Sequence, residues 1–401
     1  MKKLIFVFIF FLHGFVTATL TEKTTKIQHK DVPSQVHFVL GADITISHVS
    51  TGIFAIEEQK PILLLEYKTA TDDIQDLYLY MNDILTDLAL KHNINSITTA
   101  CFAIPGILKE NGLFLHPHLP WNTSSDPKQH TDTSQKGISK PNLQAITKLE
   151  NVYFINDFQA AALGTQAIDS SQLKTLQHGK KQPKQIKLVI GAGNGLGASL
   201  LLWNDKLSQY IPSQLNYSFT EFGAQTEVEL AFFKYMKEKT GNIAWGKVLG
   251  AGAGGIKLIY NFFDAYNSAK PTDKQKYKND PFVEYANYLD VFKHRHTSGR
   301  CHDAVQFFVQ QYAKIIRNAA YAQAAYGGVY ITNTVVQEYP ELFTTQEFIN
   351  QIVDLQDIIS HEGSKNYLEG YLKELSFYLV TNKYSLLYGA AILCIQPNLI
   401  K

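Results

Sequence analysis

Arginine is nearly absent. Only Arg295, Arg300 and Arg317 occur in 401 residues, which excludes a phosphate site built from several guanidinium forks. Any phosphate held by this chain must rest on backbone N–H groups or on lysine. Cysteine is equally sparse. Cys101, Cys301 and Cys394 are odd in number and far apart, which excludes a disulfide scaffold and a CxxC zinc site and leaves buried small hydrophobes. Neither sign of charge is in excess. The 37 basic and 36 acidic residues leave a net charge of +1, so no global field draws nucleic acid or an anionic membrane. Beyond the N-terminus no run reaches the ~18 apolar residues of a spanning helix. Also missing are a Gly-x-Ser-x-Gly elbow, a His-Glu-x-x-His pair and the Gly-Lys-Ser/Thr ending of a Walker loop. What is present is a chain 45% hydrophobic and 12% aromatic with 18% charged residues. That composition excludes disorder, and the length predicts about two domains.

Lys2 and Lys3 precede an almost unbroken apolar run from Leu4 to Val16, and Val16 and Ala18 suit the small-residue positions of a cleavage site. This is the build of a signal peptide over residues 1–18, or of an uncleaved anchor, and it predicts export. Residues 19–35 are polar and Lys-rich and read as a linker.

The next elements alternate between strand and helix. Val36–Leu40, Gly52–Ile56 and Ile62–Tyr67 predict an antiparallel meander. Asp72–His92 carries apolar residues at helical spacing, with Asp72 and Asp73 at its start. Ser96–Ile104 is a strand, Ser124–Lys140 a surface loop and Asn142–Leu149 a short helix. The strand Val152–Ile155 ends at Asn156-Asp157, and Phe158–Leu163 opens a helix. After a polar stretch, Gln172–Gln185, the pattern restarts with strand Ile186–Ile190, a glycine turn and strand Ala198–Trp203. Val39-Leu-Gly-Ala42 and Val189-Ile-Gly-Ala192 open the two halves alike, which suggests a duplicated strand–turn–strand unit. Helices follow at Glu227–Lys239, Ile256–Ala265, Pro281–Leu289, Asp303–Ala325 and Ser385–Cys394, with strands at Gly327–Thr332 and Phe377–Val380. The fold class is therefore α/β. A smaller domain over 36–150 and a larger one over 151–401 would leave a ligand cleft between them, with the terminal helix packing back on the smaller domain.

Several residues in this pattern suit chemistry. Gly191, Gly193, Gly195 and Gly197 alternate with small or neutral residues between two strands. Without Cβ atoms the backbone can bend and bring N–H groups to an anion, or simply form a glycine-rich hairpin. Asp157, at the carboxyl end of a strand, could accept a proton from a substrate hydroxyl or cap the following helix. Asn156 could take the cap and leave Asp157 to the cleft. Asp43 could hold a Mg²⁺-bound water or close an Asx turn. His116 and His118 share a face but lack a third ligand at a telling spacing, and His294 and His296 read as a solvated basic patch.

Phe154-Ile-Asn-Asp-Phe-Gln-Ala-Ala-Ala-Leu-Gly164 resembles the bacterial glucokinase family. The resemblance continues through Val189-Ile-Gly-Ala-Gly-Asn-Gly-Leu-Gly197, Val248-Leu-Gly250, Gly327-Gly-Val-Tyr-Ile331 and Leu386-Leu-Tyr-Gly-Ala390, and so covers the chain from about Val36 onward. It implies an actin-like ATPase fold, two ribonuclease-H-like halves around a cleft, in the hexokinase superfamily. It implies transfer of the γ-phosphoryl of ATP, with Mg²⁺, to the 6-hydroxyl of glucose or a related sugar. Asp157 then matches the catalytic base, and Gly191, Gly193, Asn194, Gly195 and Gly197 the second phosphate turn. Gly328 falls on the strand leading to the adenosine pocket, and Asp43 holds Mg²⁺ through a water. Asn156, Gln214, Asn216, Tyr217 and His118 fall at sugar-binding positions. The partners implied are sugar and ATP, with a homodimer allowed, and the family resemblance points to the cytoplasm where the leader points to export.

The departures from the family pattern cluster at the site. Its first phosphate turn, Asp-x-Gly-Gly-Thr-Asn, here reads Asp43-Ile-Thr-Ile-Ser-His48, and its Glu-Gly-Gly-His reads Gln214-Leu-Asn-Tyr217. A further sugar-binding Glu aligns near Trp245 or Gly246, the Thr-Asn before Leu119-Pro-Trp121 becomes Pro117-His118, and a late Gly-Gly becomes Asn333-Thr334. Each lost charged hydrogen bond to a sugar is worth roughly 1.5–3 kcal/mol. The alternative is an exported, catalytically degenerate relative that binds a sugar, a nucleotide or a protein partner.

Overall fold

A computed structural model describes residues 22–23, 37–109, 112–115, 119–121, 136–180, 182–252, 254–269, 276–277, 279–355 and 361–400. The leader expected over residues 1–18 lies outside them, as do His116 and His118. Among the described residues no helix is long and apolar enough to cross a membrane.

The first half runs β1 (Glu22–Lys23), β2 (His37–Ile44), β3 (His48–Glu57), β4 (Lys60–Ala70), α1 (Leu77–His92) and β5 (Thr99–Ile104). It continues with β6 (Ile107–Leu108), β7 (Leu113–Leu115), β8 (Gly137–Ser139), α2 (Lys140–Thr147), β9 (Asn151–Asn156) and α3 (Asp157–Gly164). The second half runs β10 (Leu173–Gln177), β11 (Lys187–Ala192), β12 (Leu196–Asn204), β13 (Gln209–Leu215), α4 (Glu227–Thr240), α5 (Trp245–Leu249) and α6 (Gly255–Ala269). Then come α7 (Leu289–Lys293), α8 (Gly299–Ala322), β14 (Gly328–Thr332), α9 (Thr334–Glu338), α10 (Gln346–Val353), α11 (Glu362–Glu374), β15 (Phe377–Val380) and α12 (Ser385–Ile395).

The two halves repeat one five-strand topology, to which β1 and β10 add at opposite edges. One six-stranded sheet has the order β1-β4-β3-β2-β5-β9, and the other, read from its far edge, β13-β12-β11-β14-β15-β10. In each, an antiparallel meander of three strands is continued by two parallel strands. The expected duplication is thus a duplication of sheets, and Val39–Ala42 and Val189–Ala192 occupy equivalent strands. Side-chain alternation divides the cores. Leu40, Ala42 and Ile44 face a core shared with α1 and α2, and Leu188, Ile190 and Ala192 face the largest core, under α4, α6, α8 and α10. Val39 and Val189 point the other way, into a third core built around α3 and α12. These two helices follow the last parallel strand of each meander unit and cross closely. A Cβ on Gly389 would strike the carbonyl of Ala160, and one on Gly164 the carbonyl of Ser385.

Several expected elements shift for identifiable reasons. Helix α1 starts at Leu77 because Asp76 caps it, accepting from Tyr78 N at 2.8 Å and Leu79 N at 3.1 Å, while Asp72 and Asp73 close a 3₁₀ turn. The segment Pro281–Leu289 is not helical before Leu289. The backbone N–H of Val283 donates to Tyr260 Oη (3.2 Å), Phe282 packs on the Tyr260 ring and Arg300 grips the Asp280 carbonyl at 3.0 Å. Tertiary contacts therefore override the apolar spacing there. His294, read as solvated, stacks on Tyr285. The polar stretch Gln172–Gln185 contains the edge strand β10, Ser124–Lys140 ends in β8, and the linker holds β1, paired to β4. All three cysteines are free and buried, as expected.

Candidate active site

Two turns in equivalent places face each other. The first, between β2 and β3, is closed by its own side chains. Thr45 Oγ1 accepts from the N–H groups of Ser47 (3.2 Å) and His48 (3.0 Å), and Thr45 N donates to His48 O at 2.9 Å. Asp43, at the end of β2, is largely buried, and its Oδ1 has no hydrogen-bond partner. Burial first, then the charge of Asp157, pushes Asp43 up to about 7, with Lys68 pulling it back. His48 Nε2 lies 3.9 Å from Asp43 Oδ2. Burial, with Lys68 beside it, pushes His48 down to about 4, so at neutral pH the contact is made by an uncharged ring and is no ion pair.

Between the turns lies the start of α3, where Asn156 and Asp157 divide their work. Asn156 Oδ1 accepts from Phe158 N (2.9 Å) and Gln159 N (3.4 Å), and Gln159 Oε1 accepts from Asn156 N (3.4 Å). This capping box satisfies the helix end through Asn156 and Gln159, so the cap does not depend on Asp157. Burial pushes Asp157 up to about 6, against hydrogen bonds from Phe158 N and the Asn156 side chain.

The second turn, between β11 and β12, is glycine-rich for reasons of packing. None of its glycines is left-handed. A Cβ on Gly191 would lie 2.6 Å from Thr332 O, one on Gly193 2.6 Å from Asn333 Oδ1, and one on Gly197 inside the Phe158 ring. Only Gly195 faces open space. The N–H of Gly193 is taken by Gly195 O at 2.8 Å, so the expected cradle of several free N–H groups narrows to the tip of the turn. Asn194 Nδ2 reaches across and donates to Ser47 Oγ at 3.1 Å, joining the two turns directly.

The sugar-position residues separate. Asn156 and Gln214 line one cavity of about 680 Å³, together with Gln159, Lys206 and Asn398. Asn216 is exposed, and its Oδ1 accepts from Gln214 Nε2 at 3.2 Å. Tyr217 is turned to the large core, with its hydroxyl accepting from Gln323 at 3.1 Å, and it does not line the cavity. Gly328 is not brought to the site either. It pairs with Lys187 at one end of β14, whereas Thr332, at the other end, pairs with Gly191 beside the turn. Four residues of strand put roughly 13 Å between them. Sequence reasoning missed Lys68, His48, Ser47, Gln159 and Asn398. The spacing Asn156-x-x-Gln159 carried a legible cap signal for one of them. The rest depend on sheet register or on where the chain end docks.

The family model described as Glucokinase matches residues 40–397. The chain belongs to the glucokinase family. A glucokinase of Neisseria gonorrhoeae is 24% identical over 370 residues, covering 92% of this chain and 96% of that protein. One of Hahella chejuensis is 26% identical over 254 residues, 63% of this chain and 71% of its own length. Among solved structures, a glucokinase from an Antarctic psychrotroph superposes with a TM-score of 0.67 at 17% identity, covering 90% of this chain and all (100%) of its own. A glucokinase of Balamuthia mandrillaris in complex with glucose gives 0.67 at 14%, covering 91% and 95%. A ROK family glucokinase from Streptomyces griseus in complex with glucose and AMPPNP gives 0.57 at 13%, covering 90% and 100%. The fold is the actin-like ATPase fold of these sugar kinases.

Set against the family pattern, the departures have distinct structural outcomes. Trp245, near the place of an expected sugar-binding Glu, is buried against Phe222. Asn333 holds a left-handed φ of 86° and caps α9 by accepting from Thr334 N at 2.7 Å, with its amide filling the space above Gly193.

Proposed function

We propose that this chain is an ATP-dependent hexose kinase that transfers the γ-phosphoryl group to the 6-hydroxyl of glucose or a related sugar. The observation that carries the reading is the half-buried carboxylate of Asp157 at the head of α3, next to Asn156, which with Gln214 lines the cavity. A carboxylate raised to about 6 is still mostly ionised at neutral pH, yet basic enough to accept the hydroxyl proton as the sugar oxygen attacks phosphorus. Gln214 and Asn398 offer amide groups to sugar hydroxyls, while the oxygens of Asn156 and Gln159 serve the cap. The tip of the second turn, Asn194-Gly195, supports the phosphates with backbone N–H groups. The orphaned Asp43 Oδ1 suits a hydrated Mg²⁺, whose chemistry when bound is to offset charge on the transferred group.

A second reading, an exported relative that binds sugar without transfer, is favoured by one observation. The Asn194–Ser47 hydrogen bond spans the gap between the two turns, where phosphates would lie. Sugar-dependent release of ADP from Mg-ATP, over a panel of hexoses, separates the two. Turnover that is lost in Asp157→Asn supports the kinase. Sugar binding by calorimetry without turnover in the wild-type protein supports the second reading.

A further inference from the structure

All three arginines are committed elsewhere. Arg295 pairs with Glu341, Arg300 with Asp264, and Arg317 donates to the carbonyls of Gln351 and Asp354. The first turn has also lost its two glycines to Thr45 and Ile46, and the Thr45 side chain closes it with hydrogen bonds to Ser47 and His48. A triphosphate at this end of the cleft therefore needs a cation from another element.

Sheet register supplies one. Asp43 pairs directly with Ser50, and Ser50 with Lys68. Directly paired residues share a face, so the three side chains form one row across β2, β3 and β4. With strands ~4.8 Å apart, the Lys68 Cα lies roughly 10 Å from that of Asp43, within the span of an extended lysine and a phosphate. Lys68 is exposed and makes no ion pair or hydrogen bond among the described residues. Its charge is nonetheless felt by both Asp43 and His48, the two titratable groups of the first turn. Lys60, at the opposite end of the same strand, sits by the β3–β4 hairpin, far from both turns.

We propose that Lys68 is the cation of the first turn, binding the terminal phosphate of the nucleoside triphosphate in place of the backbone N–H groups that this turn no longer offers. The inference rests on the phosphotransfer reading above and assigns it a residue. An ammonium is a compact point charge on a flexible stem, suited to follow a phosphate as it moves.

Calorimetric titration of the full chain with ATP and with ADP, both with Mg²⁺, tests it in the wild type, Lys68→Met, Lys68→Arg and Lys60→Met. Lys68→Met is expected to weaken ATP binding by roughly tenfold and ADP binding by much less. Lys68→Arg recovers most of the loss, and Lys60→Met matches the wild type. Equal ATP affinity in wild type and Lys68→Met overturns the role of Lys68 and leaves the kinase reading standing. An equal loss for ATP and ADP marks Lys68 as structural and also overturns it. A wild type that binds neither nucleotide overturns the kinase reading and this inference together.

Discussion

The two turns occupy the same place in a duplicated fold, yet they are built from opposite materials. The β11–β12 turn keeps its glycines because Thr332, Asn333 and Phe158 crowd three of them. The β2–β3 turn has side chains throughout and closes on itself through Thr45 and His48. Equivalent topology therefore does not keep equivalent construction. One turn still has an open tip at Gly195. The other has become a platform for a buried carboxylate, an uncharged imidazole and, one row away, a lysine. Selection on a phosphate turn acts on free backbone N–H groups, but much of what preserves glycine in the second turn here is contact with neighbouring elements.

The largest expected effect tests the group that both turns serve. Asp157→Asn should lower kcat by at least about a hundredfold, the usual worth of a positioned base. Sugar affinity by calorimetry should stay within a few-fold, since Asn156 holds the cap. A comparable loss of sugar affinity would instead make Asp157 a binding residue.

The next prediction splits the glycines within the second turn. Gly197→Ala drives a methyl into the Phe158 ring and should destabilise the protein by about 1–3 kcal/mol, read by denaturant unfolding. Gly195→Ala should leave stability unchanged and act on ATP affinity alone. If both variants behave alike, packing does not explain the glycines.

A smaller effect probes the first turn through pH. Asp43 and Asp157 have folded values raised above the ordinary carboxylate range, to about 7 and about 6. Each binds protons more tightly in the folded chain, so its contribution is fully present below about pH 4 and is lost as pH rises towards 7. His48 acts in the opposite sense. Depressed to about 4, it contributes above its ordinary value near 6.5 and loses that contribution as pH falls to about 4. Asp43→Asn should therefore raise Tm by a few degrees at pH 8 and by less at pH 4. A rise of equal size at both values would show that Asp43 carries no buried charge.

The smallest effect concerns the link between the turns. Ser47→Ala removes the 3.1 Å bond to Asn194, worth about 0.5–1.5 kcal/mol. If that bond must open for ATP, the variant should bind ATP slightly more tightly than the wild type in the same titration. Weaker binding would make Ser47 a phosphate ligand.

The strand–turn–strand repeat was legible because Val39–Ala42 and Val189–Ala192 are short buried runs ending in small residues, and strand Phe377–Val380 emerged with its boundaries intact. The division between Asn156 and Asp157 was legible as two alternatives, which the capping box resolves. Which end of β14 meets the turn was not legible, because a motif at a strand gives no direction along it, and Gly328 lies at the end away from it. Parallel pairing with β11 sends its far end to the turn. Tyr217 falls at a sugar position in the sequence, but its ring completes the large core. Pro281–Leu289 carried helical spacing, yet Arg300 and Tyr260 hold it in another shape. Lys68 left no local signal at all, since its place beside Asp43 exists only through two strand pairings.

The most direct test of the account is the pH dependence of kcat at saturating sugar and Mg-ATP. Asp157 acting as base, with its carboxyl raised to about 6, predicts an acid limb with its midpoint near 6, retained in Lys60→Met. A rate that is flat from pH 5 to 8, or a limb near the ordinary carboxylate value of 3.8, would contradict it.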